Sequence, residues 1–173
     1  MLYRKFGSTG ETVSAIGLGG SHIGKGSLTQ AGATHLIHQA IDRGITFMDN
    51  CWDYHEGRSE QWMGEALAQE GYRNKVFLMS KIDGRNKTNA TDQLNDSLSR
   101  LKTDRIDLVQ FHEILRFDDP DRIFREGGAF EAWQARKKPA SCASSALPGT
   151  RIRASICICS KWRKNMASPL MPC

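Results

Sequence analysis

The amino-acid sequence predicts an α/β protein built from repeated strand and helix units around a parallel sheet. Between Thr12 and Arg136, short apolar runs alternate with amphipathic stretches, which is the pattern of βα units. Each apolar run is continuous, as expected for a parallel strand that is covered on both faces. The length of 173 residues allows one ordinary domain.

The elements follow in order along the chain. The segment "YRKFGSTGETVS" (3–14) predicts a hairpin with a glycine-containing turn. The predicted strands are residues 13–20, 44–50, 75–81 and 105–113. The predicted helices are residues 28–43, 59–70, 89–102 and 119–136. In the third helix, Asn89 or Thr88 is the expected N-cap. The apolar face of that helix is predicted to consist of Leu94, Leu98 and Leu101.

The composition changes sharply near residue 136. All 19 acidic residues lie at or before Glu131, whereas residues 134–173 carry eight of the 24 Lys and Arg residues. The last part of the chain also contains every cysteine except Cys51 and shows no periodicity typical of a helix or a strand. The sequence therefore predicts an ordered segment over 1–136 and a basic, disordered tail over 137–173.

The overall composition excludes several classes of protein. The chain is 39% hydrophobic and 25% charged, which is typical of a soluble globular protein. The N-terminus has no apolar leader, and no run approaches the ~20 apolar residues that a bilayer-spanning helix needs. Five cysteines, an odd number, argue against a secreted disulfide framework. We therefore expect a cytoplasmic protein without a membrane partner.

Ionisable side chains stand at the ends of the predicted strands, where the loops of a parallel sheet face the ligand crevice. Asp49 ends the second strand, and Tyr54 follows five residues later. Lys81 ends the third strand and His112 the fourth. A Lys ammonium near a phenol favours the ionised phenol, and a paired carboxylate holds the cation in place. Tyr54 is therefore the candidate general acid.

These residues carry a resemblance to a known family. The motifs "FMDNCWDYHEGRSE", "LMSK" and "VQFHE", in this order, are similar to those of the aldo-keto reductases. The opening "FGSTGETVSAIGLGG" is similar to the family's N-terminal hairpin and first strand. The resemblance covers roughly residues 2–133 and implies the N-terminal half of a (β/α)8 TIM barrel, with four βα units after a β-hairpin. One departure is that His-Glu-Gly follows Tyr54 where the family usually has Gly directly, which affects the loop geometry.

The resemblance implies an oxidoreductase that reduces a small aldehyde or ketone to an alcohol with NADPH. Tyr54 would protonate the carbonyl oxygen. Lys81 with Asp49 would tune Tyr54, and His112 would help to orient the carbonyl. No metal is implied. The expected cofactor-binding residues are Gly19, Gly20 and Asp49.

Two other features near the site have simpler interpretations. The "GLGG" sequence at 17–20 lacks the full dinucleotide-binding fingerprint and is interpreted as a tight turn from strand to loop. At most Gly19 and Gly20 border the cofactor. Trp52 and Trp62 are interpreted as packing residues, although the position of Trp52 beside Tyr54 also suits a pocket wall.

The tail is the part that the resemblance does not cover. Read one nucleotide earlier, its codons from Pro139 onward are compatible with a strand, a turn and a helix similar to the family's fifth βα unit. Our hypothesis is a frameshift near residues 136–138. The family takes most of its NADPH phosphate and adenine contacts from the second half of the barrel. We therefore expect this chain to be inactive alone and to self-associate through the open edges of its sheet.

Two alternative functions stay open. The first is a non-enzymatic fragment whose basic tail, with Trp162, binds nucleic acid or another anion. Its basic residues are irregularly spaced, so nucleic acid is the weaker expectation. The second is a metal-dependent hydrolase that uses Asp49 and His112. That alternative lacks a paired-His motif and leaves Tyr54 and Lys81 without a role.

Overall fold

The computed structural model describes residues 1–137 and 151–152. The chain opens with an antiparallel hairpin of β1 (Tyr3–Lys5) and β2 (Thr12–Ser14). The turn between them contains Gly10 with a φ of 80°, a backbone conformation that favours glycine. The predicted hairpin is therefore confirmed.

Parallel strands form the central sheet. The strands after the hairpin are β3 (Gly17–Gly19), β4 (Phe47–Asp49), β5 (Phe77–Ile82), β6 (Arg105–Ile106) and β7 (Leu108–Phe111). Four of them pair in the order β3, β4, β5, β7, which is their order along the chain. Successive parallel strands that lie side by side in sequence order are what a barrel requires.

Helices follow the strands and pack against the sheet. They are α1 (Gln30–Asp42), α2 (Arg58–Leu67), α3 (Lys87–Arg100), α4 (Asp119–Phe124) and α5 (Ala129–Lys137). Ile37, Met63 and Leu94, one from each of the first three helices, are fully buried in a core shared with the strands. The four predicted βα units are confirmed. Among the described residues, no helix is both long and apolar enough to cross a bilayer.

Two predicted strands are each divided in the structure. The predicted strand 13–20 is split because its first residues pair in the hairpin as β2 and its later ones enter the sheet as β3. The predicted strand 105–113 is interrupted at Asp107. The Asp107 carboxylate accepts hydrogen bonds from the Leu78 N–H at 2.9 Å and from the Arg73 guanidinium at 2.8 Å. The Asp107 side chain thus takes the place of a backbone acceptor between the two strands. Its ion pair with Arg73 is largely buried.

The predicted single helix over 119–136 is wrong. The segment forms α4 and α5 because two glycines separate them. Gly127 has a φ of 71°, which a continuous right-handed helix does not allow. A Cβ at Gly128 would lie 2.7 Å from the Arg125 carbonyl oxygen, so the chain turns back tightly at this point.

The third helix begins earlier than the sequence predicted. Asn86 is the N-cap, and its side-chain oxygen accepts a hydrogen bond from the Asn89 N–H at 2.8 Å. Neither Asn89 nor Thr88 is the cap, since both lie inside α3. The predicted apolar face is confirmed, because all three of its residues are buried: Leu94, Leu98 and Leu101.

Most of the basic tail predicted over 137–173 lies outside the described residues. A two-residue strand, β8 (Arg151–Ile152), pairs in parallel with β6. The disorder and the altered reading frame of the tail therefore stay predictions.

Candidate active site

Asp49 and Lys81 meet at the carboxyl edge of the sheet. Asp49 is in register with Met79 on the neighbouring strand, and residues two apart on a strand share a face. Lys81 therefore projects beside Asp49, and its ammonium donates a hydrogen bond to the Asp49 carboxylate. The same Nζ donates to the Asn50 carbonyl oxygen at 2.9 Å. Two acceptors thus fix a cation whose side chain is only 12% exposed.

Tyr54 and His112 complete the group of four. The Lys81 Nζ lies 5.3 Å from the centre of the Tyr54 ring. The rings of Tyr54 and His112 are 6.0 Å apart and nearly perpendicular, at 86°. His112 directly follows β7, and its N–H donates to the Ile82 carbonyl at 2.7 Å. The structure therefore brings together all four of the predicted catalytic side chains.

The segment that carries Tyr54 has an unusual backbone. His55, Glu56 and Gly57 have φ angles of 54°, 58° and 85°, so three successive residues are left-handed. His55 donates from Nε2 to the Ser21 carbonyl at 2.8 Å, and thereby ties the loop after β4 to the loop after β3. The residues that depart from the family's usual sequence therefore shape the rim of the site.

The two predicted cofactor glycines have different surroundings. Gly19 is exposed and lies opposite Asp49, and a Cβ on it would meet no atom within 4 Å. Gly20 is buried, and a Cβ there would lie 2.7 Å from the Asn50 side chain and 2.9 Å from the Ser59 Oγ. Gly19 borders open space at the rim, whereas Gly20 is required by close packing.

An ion pair between Arg85 and Asp119 adjoins the backbone of His112. Their Nε and Oδ1 atoms are 3.1 Å apart, and both side chains are largely buried. Arg85 also donates to the carbonyls of His112, at 2.7 Å, and Glu113, at 2.9 Å. Burial alone would raise the pKa of Asp119, but hydrogen bonds from the Arg116 N–H and from Arg85 outweigh it and lower the pKa. The pair was not predictable from the sequence, because Arg85 lies in the loop after β5 and Asp119 is the first residue of α4, 34 residues further along the chain.

Glu60 is buried beneath the same rim. Its carboxylate accepts a hydrogen bond from the Ser80 hydroxyl at 2.6 Å and lies 3.6 Å from the Arg100 guanidinium. Burial raises the pKa of Glu60, although Ser80 and Arg100 oppose the shift. Ser80 immediately precedes Lys81. Glu60 ends the motif "FMDNCWDYHEGRSE", but nothing in its sequence surroundings indicated a buried polar network.

Comparison with known proteins decides the family. The sequence model of the aldo/keto reductase family matches residues 15–138. The chain belongs to the aldo/keto reductase family. It is 34% identical over 125 residues to aldo-keto reductase YhdN of Bacillus subtilis, covering 65% of this chain and 38% of that protein. It is 33% identical over 124 residues to 6-dehydroglucose reductase of Novosphingobium aromaticivorans, covering 64% of this chain and 41% of that protein.

Solved aldo-keto reductases share the fold. One from Bacillus halodurans, in its holo form, matches with a TM-score of 0.70 and 28% identity over 90% of this chain and 50% of that one. One from Klebsiella pneumoniae, in complex with NADPH, matches with a TM-score of 0.68 at 24% identity, over 90% of this chain and 50% of that one. The described aldo/keto reductase chain is therefore a partial barrel, as the sequence predicted. It spans about two fifths of the length of the curated relatives named above.

The rim of this aldo/keto reductase chain fits one end of a nicotinamide dinucleotide. Asp49 offers a partly exposed carboxylate acceptor, and Gly19 leaves open space beside it, which suits the ring and ribose end. Phosphates are bound by cationic side chains or by helix N-termini. Near His112, however, Lys81 is paired with Asp49, and Arg85 with Asp119. The residues fit the nicotinamide end better than the phosphate end.

Cys51 lies next to the site but is not a candidate nucleophile. Its side chain is 1% exposed, and burial raises the pKa of its thiol to about 11. A thiol with such a pKa stays protonated at neutral pH, whereas nucleophilic attack needs the thiolate. Within the described residues, no group of three or more His, Cys, Asp or Glu side chains is placed to hold a metal ion.

Proposed function

We propose that this chain carries the proton-transfer half of an oxidoreductase site that reduces aldehydes or ketones to alcohols with NADPH. The observation that carries the proposal is the position of Lys81, which is paired with Asp49 and lies 5.3 Å from the centre of the Tyr54 ring. Tyr54 donates its hydroxyl proton to the carbonyl oxygen as that oxygen gains negative charge. The Lys81 cation stabilises the phenolate that Tyr54 becomes.

The other groups at the rim have supporting roles in this proposal. His112 meets the Tyr54 ring edge-on and donates a hydrogen bond that orients the carbonyl oxygen beside the phenol. Gly19 and Asp49 would hold the nicotinamide end of the cofactor. When bound, the cofactor supplies the hydride that reduces the carbonyl carbon. The relative from Klebsiella pneumoniae that was solved in complex with NADPH supports this choice of cofactor.

We also propose that this chain alone does not catalyse the reduction. The chain covers 38% of the length of YhdN, and the cations Lys81 and Arg85 are already paired. The family match ends at residue 138, close to where the acidic residues stop, which supports the altered reading frame. A fluorescence titration of the purified chain with NADPH should show no binding at micromolar cofactor. Micromolar affinity would contradict the proposal.

The encoding nucleotide sequence provides the decisive experiment. Read one position earlier beyond codon 136, it should stay open and encode about four further βα units, which would complete a barrel. The frame-restored protein should reduce aldehydes with NADPH. Tyr54→Phe in that protein should lower kcat by about 10²- to 10⁴-fold and leave the Kd for NADPH unchanged, because only the proton donor is lost.

Two results would count against these proposals. Stop codons within a few tens of bases of the alternative frame would show that the tail is genuine sequence. A Tyr54→Phe variant with full kcat would show that another group donates the proton.

A further inference from the structure

The segment between β4 and α2 holds Tyr54 without a regular helix or strand. Turn hydrogen bonds, such as that from the Tyr54 N–H to the Cys51 carbonyl at 3.3 Å, give it local shape. His55 and Glu56 nevertheless have positive φ angles, which residues other than glycine rarely adopt. A backbone of this kind persists only when its surroundings over-determine it. Contacts from outside the segment must therefore fix the position of Tyr54.

One side chain, Arg100 at the end of α3, contacts the segment on both sides of Tyr54. Its Nη1 donates to the Trp52 carbonyl at 2.9 Å, and its guanidinium lies 5.3 Å from the Trp52 ring. On the other side, a Cβ at Gly57 would collide with the same guanidinium. Arg100 thus fills the space next to Gly57, a position where the φ of 85° already favours glycine.

Arg100 is itself held by two carboxylates. The fully buried Glu60 lies 3.6 Å from its Nη1, and Asp96 lies 3.8 Å from its Nη2. Asp96 also accepts a hydrogen bond from the Trp52 indole N–H at 3.2 Å. Glu60 is anchored in turn to β5 through the Ser80 hydroxyl. The guanidinium is therefore fixed relative to the strand that carries Lys81.

We propose that Arg100 is a positioning residue that places Tyr54 over Lys81 and against His112. Its role as a support for the proton donor rests on the function proposed above, whereas its effect on the position of Tyr54 does not. A guanidinium is planar and presents five N–H donors in a rigid fork, so it serves Trp52, Glu60 and Asp96 at once. A lysine ammonium keeps the charge but cannot span these partners in the same geometry.

The test uses the full chain and measures a ¹⁹F resonance that depends on the surroundings of the Tyr54 ring. The chain contains three tyrosines, so 3-fluorotyrosine labelling gives three ¹⁹F resonances, and Tyr54→Phe identifies the one from Tyr54. In Arg100→Lys, the Tyr54 resonance should shift and broaden, whereas those of Tyr3 and Tyr72 should stay in place. Amide hydrogen exchange in residues 51–57 should rise by about tenfold, whereas exchange in β5 should not change.

Two further variants keep the test decisive. Lys102 is two residues from Arg100 in the chain and forms an exposed ion pair with Glu65, with 2.6 Å between Nζ and Oε1. Lys102→Met removes this ion pair and should leave the Tyr54 resonance unchanged. If Arg100→Lys does not fold, Arg100→Met with Glu60→Gln removes the guanidinium and the buried charge together. That double variant should show the same Tyr54 shift.

An unchanged Tyr54 resonance and unchanged exchange in 51–57, in whichever of these Arg100 variants folds, would overturn the inference. A shift of equal size in Lys102→Met would also overturn it. A Tyr54 that moves as expected, together with a frame-restored protein that transfers no hydride, would instead contradict the proposed function and leave the role of Arg100 standing.

Discussion

Lys81 and Asp49 form an ion pair across two adjacent parallel strands, and the Asn50 carbonyl is a second acceptor for the same ammonium. The pairing follows from the register, since Asp49 is opposite Met79 and Lys81 lies two residues further along β5. The Lys81 side chain is 12% exposed, so water offers its cation little alternative solvation. The pair therefore holds a positive charge beneath the Tyr54 ring.

Lys81→Met should remove this charge without a large change in side-chain length. In the frame-restored protein we expect kcat to fall by about 10²- to 10⁴-fold, the range for loss of general acid catalysis. NADPH affinity, measured by fluorescence, should change much less. Lys75→Met is the matched control, because Lys75 is 51% exposed and contacts Tyr72 rather than Tyr54. Equal losses of kcat in both variants would show that Lys81 has no special role.

Gly19→Ala and Gly20→Ala form a matched pair of adjacent substitutions. A methyl group at Gly20 would crowd Asn50 and Ser59, so Gly20→Ala should lower the free energy of unfolding by about 1–3 kcal/mol. Gly19 faces open space, so Gly19→Ala should change that free energy by no more than about 0.5 kcal/mol. Urea denaturation of both variants measures the difference. Equal destabilisation would mean that Asn50 yields to the added methyl group.

The positions of the site residues were predictable because they depend on strand ends. A continuous apolar run that stops at a charged residue marks the end of a buried strand, and parallel strands bring such ends to one edge. Asp49, Lys81 and His112 were identified in this way. Tyr54 follows a strand end by only five residues, so the chain cannot carry it far from that edge.

The supporting contacts were not predictable because they have no periodicity. Arg85 and Asp119 are 34 residues apart, and each looks like an ordinary surface charge in the sequence. Arg100 contacts Trp52 from a distance of 48 residues. The break between α4 and α5 was missed for a different reason. An amphipathic pattern can continue across two glycines, whereas the positive φ of Gly127 appears only in the folded backbone.

Asp119→Asn should loosen the loop that carries His112. The carboxylate accepts hydrogen bonds from the Arg116 N–H at 3.0 Å and the Leu115 N–H at 3.2 Å, in addition to its pair with Arg85. We expect amide exchange over residues 112–118 to rise by about tenfold while exchange in β5 stays constant. Asp118→Asn, at an exposed neighbour, is the control. A loop that exchanges equally fast in both variants would contradict a role for the ion pair.

The same carboxylate gives a pH dependence of known sign. The pKa of Asp119 is lowered in the folded chain, so the unfolded chain binds its proton more tightly. The stability that Asp119 contributes is therefore present above its unfolded pKa, roughly 3.9, and is lost as the pH falls through the folded pKa. Denaturation of the wild type between neutral pH and pH 3 should show this loss, and Asp119→Asn should reduce it.

Glu60 should give the opposite dependence. Burial raises the pKa of Glu60 in the folded chain above its unfolded pKa, which is roughly 4.3. At a pH between these two pKa values, the folded state binds more protons than the unfolded state. The free energy of unfolding should therefore fall with rising pH in that window, with a slope of at most about 1.4 kcal/mol per pH unit for one proton, and stay level above it. Glu60→Gln keeps an acceptor for the Ser80 hydroxyl and cannot ionise, so its stability relative to the wild type should increase across the window.

Urea denaturation from pH 4 to pH 8 measures both profiles, with Glu65→Gln as the control because Glu65 is 39% exposed. Parallel profiles for the wild type and Glu60→Gln would show that Arg100 compensates the buried charge fully.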